Sequence, residues 1–445
     1  MRHMTRLVLL TAMLAAPAAW GAQAPSTQPA QLSKADQLFS DGRDALFRRE
    51  YDRAIDLLTR AAAEDKTRTH YRLHLARALD YAGKMTQAKE ILADILKSTP
   101  DHVEAGQLLA EIFSRQENWR SVVEVLEPLL KYRHDYVSYH LLAEAKYNLN
   151  DFDGARKYYE EAIKLNPASD ADHYQLGNIY LSRGFYALAA ESYQNALRLG
   201  MRSPVLHYQL GSAYFNLRNY FGRITTATVR SGQVGTISGE WYLIEAVPAQ
   251  KDVFRVAPPE SAIYQIARAM AEGLADRPDI QFLRANIYLN AGRYRDAYEM
   301  YARIKPIIPR EDLALFHYYY AQAAFGTGNH DEYLALLGEA IRLDKAAYEP
   351  TLVEALVRVA EQYNQAGQLQ KYIEYLTRAV AHSPQTASLH LKLGNAYEET
   401  GKHADAAAHW QLVLDLEPDH PRRLELVNQI ARARAMRPGP TTRPS

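Results

Sequence analysis

The 445-residue sequence contains no cysteine, which excludes disulfide bonds, thiol catalysis, cysteine-ligated zinc and an acylated cysteine anchor. It also has no excess of either charge, since 52 Lys and Arg balance 52 Asp and Glu. A neutral chain offers no basic surface for nucleic acid and no strong attraction to an anionic membrane. No apolar run reaches the roughly 18 residues that a membrane-spanning helix needs. The sequence therefore excludes an integral membrane bundle, and we expect no nucleic-acid partner.

The N-terminus has the pattern of an export signal. Arg2 and Arg6 precede a short apolar core, as in the positively charged start of a signal peptide. Ala19 and Gly21 supply the small residues expected before a cleavage point. The core is too short to span a bilayer as a helix. The pattern predicts a signal peptide over residues 1–21, whose removal would leave a periplasmic or secreted chain without an integral membrane segment. The alternative is a buried or interfacial N-terminal helix.

Small residues recur at a nearly constant distance along most of the chain. The positions, in steps of 34, 34, 33 and 34 residues, are Ala54, Ala88, Val122, Ala155 and Ala189. Each begins a phrase in which apolar residues follow at helical spacing. Because a glycine turn precedes many of these phrases and a proline often follows them, each repeat predicts two antiparallel helices. One helix pair cannot bury its apolar stripe, so the pairs must stack.

A second phrase, Leu-Gly-x2-Tyr, precedes the first in several repeats. It begins at Leu176, Leu210 and Leu393, and the repeat that contains Leu393 ends at Pro418. This period and this pattern resemble the tetratricopeptide-repeat (TPR) family, over nearly all of residues 36–419. The resemblance implies an all-α fold, a right-handed superhelical solenoid of about ten helix pairs. It also implies ligand binding on the concave face that the first helices of the pairs form.

The sixth repeat is interrupted after its first helix. Between residues 221 and 259, β-branched stretches alternate with turns that contain glycine or proline, which predicts a small β-rich insertion of three short strands. Three short strands cannot sustain a core alone, so we expect them to lie on the solenoid or on a partner. The apolar residues that favour a docking role are Trp241, Tyr242, Ile244 and Phe254. The alternatives are an idle loop insertion and a catalytic site at Glu240, Glu245 or Asp252.

No catalytic constellation stands out elsewhere. The sequence has no phosphate-binding glycine loop, no serine nucleophile elbow and no His-Glu-x2-His zinc motif. His70 and His74 lie four residues apart on a predicted helix, but no third metal ligand accompanies them. We therefore expect a protein that is not an enzyme and that uses no metal or cofactor.

The resemblance places candidate ligand contacts on the first helices of the repeats. These aromatic and amide candidates are Tyr174, Asn178, Tyr208, Phe215, Asn216, Phe282, Asn286, Asn290, Tyr318 and Gln322. Amides can pair with an extended backbone, and rings can accept side chains or stack on sugars. Asn178, Asn286 and Asn395 stand where some relatives clamp a carboxylate, but the neighbouring cations are missing. The alternative is that these residues follow the repeat pattern without contacting a ligand.

The sequence thus predicts an exported interaction scaffold that binds a partner protein or an extended peptide through the groove, the insertion or both. The first alternative is a glycan-handling subunit of an envelope or polysaccharide export assembly, with a glycan as ligand. The second is an enzyme with its site at the insertion. The predicted organisation is a signal peptide over 1–21, a disordered linker over 22–34, an N-terminal array over 35–220, the β-rich insertion over 221–259, a C-terminal array over 260–420, a capping helix over 421–436 and a disordered tail over 437–445.

Overall fold

The computed structural model describes residues 32–223 and 257–436, together with the backbone of short strands between residues 225 and 256. The chain divides into two compact units, Met1–Leu165 and Asn166–Ser445. This division falls inside the predicted N-terminal array. The predicted signal peptide, most of the predicted linker and the predicted C-terminal tail lie outside the described residues.

The described part of the first unit is a set of helices in which each helix packs on the next. Their bounds are Lys34–Phe47 (α1), Tyr51–Glu64 (α2), Thr69–Tyr81 (α3), Met85–Ser98 (α4), Val103–Arg115 (α5), Trp119–Leu129 (α6), Tyr136–Asn148 (α7) and Phe152–Leu165 (α8). The small residues whose spacing predicted the repeat are fully buried on the second helix of each pair, at Ala54, Ala88, Val122 and Ala155. A small side chain there lets two helices approach closely, so the spacing predicted the four pairs of this unit.

The second unit continues the same arrangement over its described residues. Its helices are Asp170–Ser182 (α9), Tyr186–Arg198 (α10), Pro204–Asn216 (α11), Ala262–Ala269 (α12), Pro278–Asn290 (α13), Tyr294–Ile304 (α14), Leu313–Gly326 (α15), His330–Leu343 (α16), Lys345–Tyr348 (α17), Pro350–Gln365 (α18), Leu369–His382 (α19), Ala387–Glu399 (α20), His403–Leu416 (α21) and Arg423–Ala435 (α22). Six pairs form here, which with the four above confirms a helical array of about ten pairs. The right-handed superhelical sense stays a prediction.

Three short helical turns complete the second unit. A π-helical turn over Met270–Leu274 extends α12, and 3₁₀ turns over Lys305–Ile307 and Arg310–Asp312 connect α14 to α15. The connection between α14 and α15 is therefore longer and more structured than a simple proline stop after the second helix of a pair.

A residue in the left-handed conformation stands in the turn inside each of the ten described pairs. Six are glycines, namely Gly83, Gly184, Gly292, Gly328, Gly367 and Gly401, and four are not, namely Arg49, Glu117, Asn150 and Arg218. Such a residue lets the next amide bond back to the end of the first helix, as Lys84 N–H does to the Leu79 carbonyl at 2.8 Å. The four non-glycine turns adopt the same conformation at a steric cost, because a Cβ atom disfavours positive φ.

Short strands occupy part of the chain between α11 and α12. Their bounds are Thr225–Thr228 (β1), Thr236–Ile237 (β2), Glu240–Trp241 (β3), Ile244–Ala246 (β4) and Val253–Val256 (β5). Strand β5 pairs antiparallel with β1 and β4, and β2 pairs antiparallel with β3. The side chains of this span, including the predicted docking residues Trp241, Tyr242, Ile244 and Phe254, lie outside the described residues. Its interpretation as a β-rich docking insertion therefore stays with the proposals below.

The two ends of this span meet at the sixth helix pair. The backbone N–H of Ala262 donates to the carbonyl of Asn219 at 2.9 Å, and that of Ile263 donates to the carbonyl of Tyr220 at 3.0 Å. The chain therefore leaves and re-enters the pair at one place, so the intervening residues do not separate α11 from α12.

Candidate functional site

A cleft of about 500 Å³ in the second unit brings several predicted contact residues together. Helices α11, α13 and the start of α15 form it, with the turn between α14 and α15. Its lining residues are Tyr208, Ser212, Asn216, Pro278, Asp279, Phe282, Leu283, Asn286, Ile308, Pro309, Asp312 and Leu315. Four of them belong to the predicted set, namely Tyr208, Asn216, Phe282 and Asn286. The cleft is the candidate site.

Helical spacing explains how the residues of one helix reach the cleft together. The lining residues of α11 are spaced four apart, at Tyr208, Ser212 and Asn216. Residues with this spacing share one face of a helix. The same rule applied to Phe282 on α13 would have added Asp279, three residues earlier, to the predicted set. Sequence reasoning missed it because it selected aromatic and amide side chains only.

One wall of the cleft comes from the turn between α14 and α15. Ile308 and Pro309 lie between its two 3₁₀ turns, and Asp312 ends the second. Leu315 follows in the first turn of α15. No helical period runs through this turn, so no sequence pattern indicated that it faces α13.

The two acidic residues that line the cleft have different surroundings. Arg277 holds Asp279 with two hydrogen bonds, Nε to Oδ1 at 3.1 Å and Nη2 to Oδ2 at 2.6 Å. The guanidinium also lies 5.7 Å from the ring centroid of Tyr208. Burial, together with the Asp279 carboxylate, raises the pKa of Tyr208. By contrast, the Asp312 side chain has neither an ion-pair partner nor a capping hydrogen bond within the described part of the chain.

The predicted asparagines make hydrogen bonds within the protein. The Tyr301 hydroxyl donates to Asn286 Oδ1 at 2.5 Å, and the Tyr193 hydroxyl donates to Asn178 Oδ1 at 2.8 Å. Asn290 donates through Nδ2 to the backbone carbonyl of Asn286 at 2.9 Å. The carbonyl oxygen of Asn286 is therefore engaged in the core, and its Nδ2 is the group that it can offer to the cleft.

Two predicted aromatic contacts of α9 and α11 pack on neighbouring rings outside the cleft. The ring centroids of Tyr174 and Tyr193 lie 5.9 Å apart, and those of Phe215 and Tyr220 lie 5.6 Å apart. Tyr220 is near the start of the span between α11 and α12 that contains the strands. Phe215 therefore supports the base of that span and is not a residue of the cleft.

Two further predicted contacts lie on α15 beyond the cleft. The ring centroid of Tyr318 is 5.2 Å from that of Tyr348, and Gln322 Oε1 accepts a hydrogen bond from Arg358 Nη1 at 3.1 Å. Both side chains thus connect α15 to later elements. The predicted set consequently divides between one cleft and several contacts within the repeats.

The described residues contain no group of three or more His, Asp or Glu that could hold a metal ion. His70 and His74 are the two histidines that the sequence analysis considered as metal ligands. The ring centroid of each lies 5.0 Å from that of Phe39, in edge-on contact. Burial lowers the pKa of His74 to about 4. Over the same residues, no helix combines the length and the apolar character needed to cross a membrane.

Profiles described as tetratricopeptide repeat match the chain at residues 46–112, 140–204, 174–220 and 365–421. Together with the described helix pairs and their buried small residues, these matches define a helical-repeat protein. The chain belongs to the tetratricopeptide-repeat family.

The chain is also similar to individual proteins. It is 26% identical over 144 residues to the human protein O-mannosyl-transferase TMTC1, a match that covers 31% of this chain and spans 16% of that protein. Among solved structures, it is similar to YrrB, described as a TPR protein with an unusual peptide-binding site (18% identity, 51% of this chain and 93% of YrrB, TM-score 0.36). It is similar to MamA from Desulfovibrio magneticus RS-1 as well (21% identity, 38% and 97% coverage, TM-score 0.36). Such low TM-scores support no argument about function.

Proposed function

We propose that this chain is a non-enzymatic scaffold that holds a partner protein by an extended segment seated in the cleft of the second unit. The cleft carries the proposal, because it joins apolar and aromatic side chains from three first helices with the amide of Asn286. Its volume of about 500 Å³ is in the range of sites that accept a few side chains. Membership of the family supports a binding role, although a fold alone does not fix a function.

The chemistry of the cleft favours a polypeptide ligand. Phe282 and Leu283 on α13 and Leu315 on α15 supply apolar surface for a side chain. Asn216 on α11 and Asn286 on α13 supply polar atoms for peptide groups. An extended segment that crosses successive first helices would use both kinds of contact.

The proposal has two further parts. The span between α11 and α12 is a β-rich insertion that adds a second docking surface, since its two ends are fixed together at Asn219 and Ala262. The mature chain acts in the periplasm or outside the cell, after removal of the signal peptide that residues 1–21 indicate. Glycan handling and catalysis at the insertion stay predictions, because no contact within the described part of the chain favours them.

Affinity capture from the native envelope fraction tests the proposal. Leu315 lines the cleft and Leu188 lies on α10 away from it, and the two leucines are similarly exposed, at 41% and 44%. The baits are the mature chain, Leu315→Lys and the matched control Leu188→Lys. Circular dichroism of each bait would check that all three remain helical.

We expect the mature chain and Leu188→Lys to capture the same partner and Leu315→Lys to lose it. Retention by Leu315→Lys would exclude the cleft as the binding site. A fourth bait, in which a short turn replaces residues 223–257, tests the insertion separately. Loss of the partner from that bait alone would make the insertion the docking element.

A further inference from the structure

We propose that the cleft selects partner segments in which an apolar residue and a lysine or arginine are separated by one residue. This inference rests on the proposed function and adds the chemistry of the ligand. It is carried by the difference between the two carboxylates of the cleft and by the position of Asp312 beside Leu315.

The apolar part of the cleft suits a single large side chain. Phe282 is held from behind, with its ring centroid 6.0 Å from that of Phe316 and 5.9 Å from that of Tyr319. Ile308 and Leu315 face it from the turn and from the start of α15. A leucine, methionine or phenylalanine side chain that enters between these walls would remove apolar surface from water on both sides.

Only one of the two carboxylates in the cleft carries an uncompensated charge. The two hydrogen bonds from Arg277 neutralise Asp279, and that arginine is further engaged over the ring of Tyr208. Asp312 has no ion-pair partner within the described part of the chain. The lining residues include no lysine, arginine or histidine, since Lys305 and Arg310 of the same turn do not line the cleft. The cleft thus carries a net negative charge at Asp312.

The spacing of the ligand follows from the spacing of Asp312 and Leu315. Residues three apart at the start of a helix have Cβ atoms roughly 5–6 Å apart on one face. In an extended peptide, side chains that share a face are two residues apart and separated by roughly 6.5–7 Å. A peptide whose apolar side chain contacts Leu315 therefore places a residue two positions away near Asp312. That residue precedes or follows the apolar one according to the direction in which the peptide lies. The structure assigns to this site an apolar and a basic residue separated by one residue, in either order.

Fluorescence polarisation with labelled peptides tests this assignment on the mature chain. Two twelve-residue peptides of Gly and Ser carry either Leu-Gly-Lys or Leu-Gly-Glu at their centre, and a third carries Ala-Gly-Lys. The protein variants are Asp312→Lys and Glu311→Lys. Glu311 is an exposed neighbour that does not line the cleft, so its variant makes the same change of charge outside the site.

The wild type and Glu311→Lys are expected to bind Leu-Gly-Lys about threefold to fivefold more tightly than Leu-Gly-Glu, the range of a partly exposed ion pair. Asp312→Lys is expected to reverse that preference, and 1 M salt to abolish it. The Ala-Gly-Lys peptide should bind more weakly than Leu-Gly-Lys to every variant. These four results together would support the assignment.

Equal binding of the lysine and glutamate peptides, or a lysine preference that survives Asp312→Lys, would overturn the inference. In that case the proposed function would still stand if Leu315→Lys weakened the binding of both peptides. If neither peptide bound the wild type and partner capture did not depend on Leu315, both the inference and the proposed function would be wrong.

Discussion

The hydroxyl of Tyr301 on α14 donates a hydrogen bond to Oδ1 of Asn286 on α13 at 2.5 Å. The two residues are fifteen positions apart, and Tyr301 is fully buried. The same relationship at the same separation recurs at Tyr193 with Asn178 and at Trp410 with Asn395. The repeat asparagine therefore joins the two helices of its pair by accepting a hydrogen bond from the large aromatic residue of the second helix.

This hydrogen bond should contribute to stability. Asn286→Ala leaves the buried hydroxyl of Tyr301 without its acceptor, so we expect the free energy of unfolding to fall by about 1–3 kcal/mol. Tyr301→Phe removes the hydroxyl itself, so no buried donor is left without an acceptor. This variant should lower the free energy of unfolding by about 0.5–1.5 kcal/mol. Urea unfolding followed by circular dichroism measures both. Because the two substitutions remove one interaction, the double variant should lose less stability than the sum of the single losses, and strict additivity would contradict the account.

The asparagines also show where sequence reasoning stopped. Their recurrence at one repeat position fitted a ligand contact and a structural contact equally well. The hydrogen bond from the Tyr301 hydroxyl shows that Asn286 Oδ1 has a structural role between the two helices. Asn286 nevertheless also lines the cleft. The helix pairs themselves were predicted well, because residues such as Ala54 and Ala189 must be small where two helices meet.

Two features were beyond the sequence patterns. In four of the ten turns inside pairs, the residue in the left-handed conformation is not glycine. Glycine at that position would have located only six turns, and Asn150 or Arg218 gives no comparable signal. The wall formed by Ile308 and Asp312 has no repeat counterpart that sequence reasoning identified, and its position against α13 depends on the two 3₁₀ turns.

The space around the Cα atom predicts opposite effects for two glycine substitutions. A Cβ atom at Gly177 would lie 2.6 Å from Cε1 of Tyr193, whose side chain is fully buried. Gly177→Ala should therefore lower the free energy of unfolding by about 1–3 kcal/mol. Gly338, inside α16, has no neighbouring atom within 4 Å of such a Cβ, so Gly338→Ala should raise it by about 0.5–1 kcal/mol. A Gly177→Ala variant as stable as the wild type in urea would contradict this packing.

Acid should destabilise the first unit through His74. Burial, with the Arg77 and Arg43 cations, lowers the pKa of His74 from 6.5 to about 4. As the pH falls from 6.5 toward 4, the unfolded chain takes up this proton before the folded chain does. The stabilisation is therefore complete above pH 6.5 and is lost progressively across that window.

Unfolding in urea at pH 7 and at pH 4.5 measures the effect. His74→Gln removes the titrating group, so the variant should lose less stability between the two pH values than the wild type, by about 1 kcal/mol after allowance for partial solvent exposure. The control is His382→Gln, at an exposed position of α19, which should leave the pH dependence unchanged. An identical pH dependence in His74→Gln and the wild type would refute the assignment.

Site-specific photo-crosslinking in the native host tests the central claim most directly. A benzoylphenylalanine placed at Leu315 or at Asn216 would stand in the cleft, and one placed at Leu188 would stand on α10 outside it. We predict that Leu315 and Asn216 each yield an adduct with the same partner protein and that Leu188 yields none. An adduct from Leu188 alone, or no protein adduct from either cleft position, would contradict the claim that this cleft holds a partner.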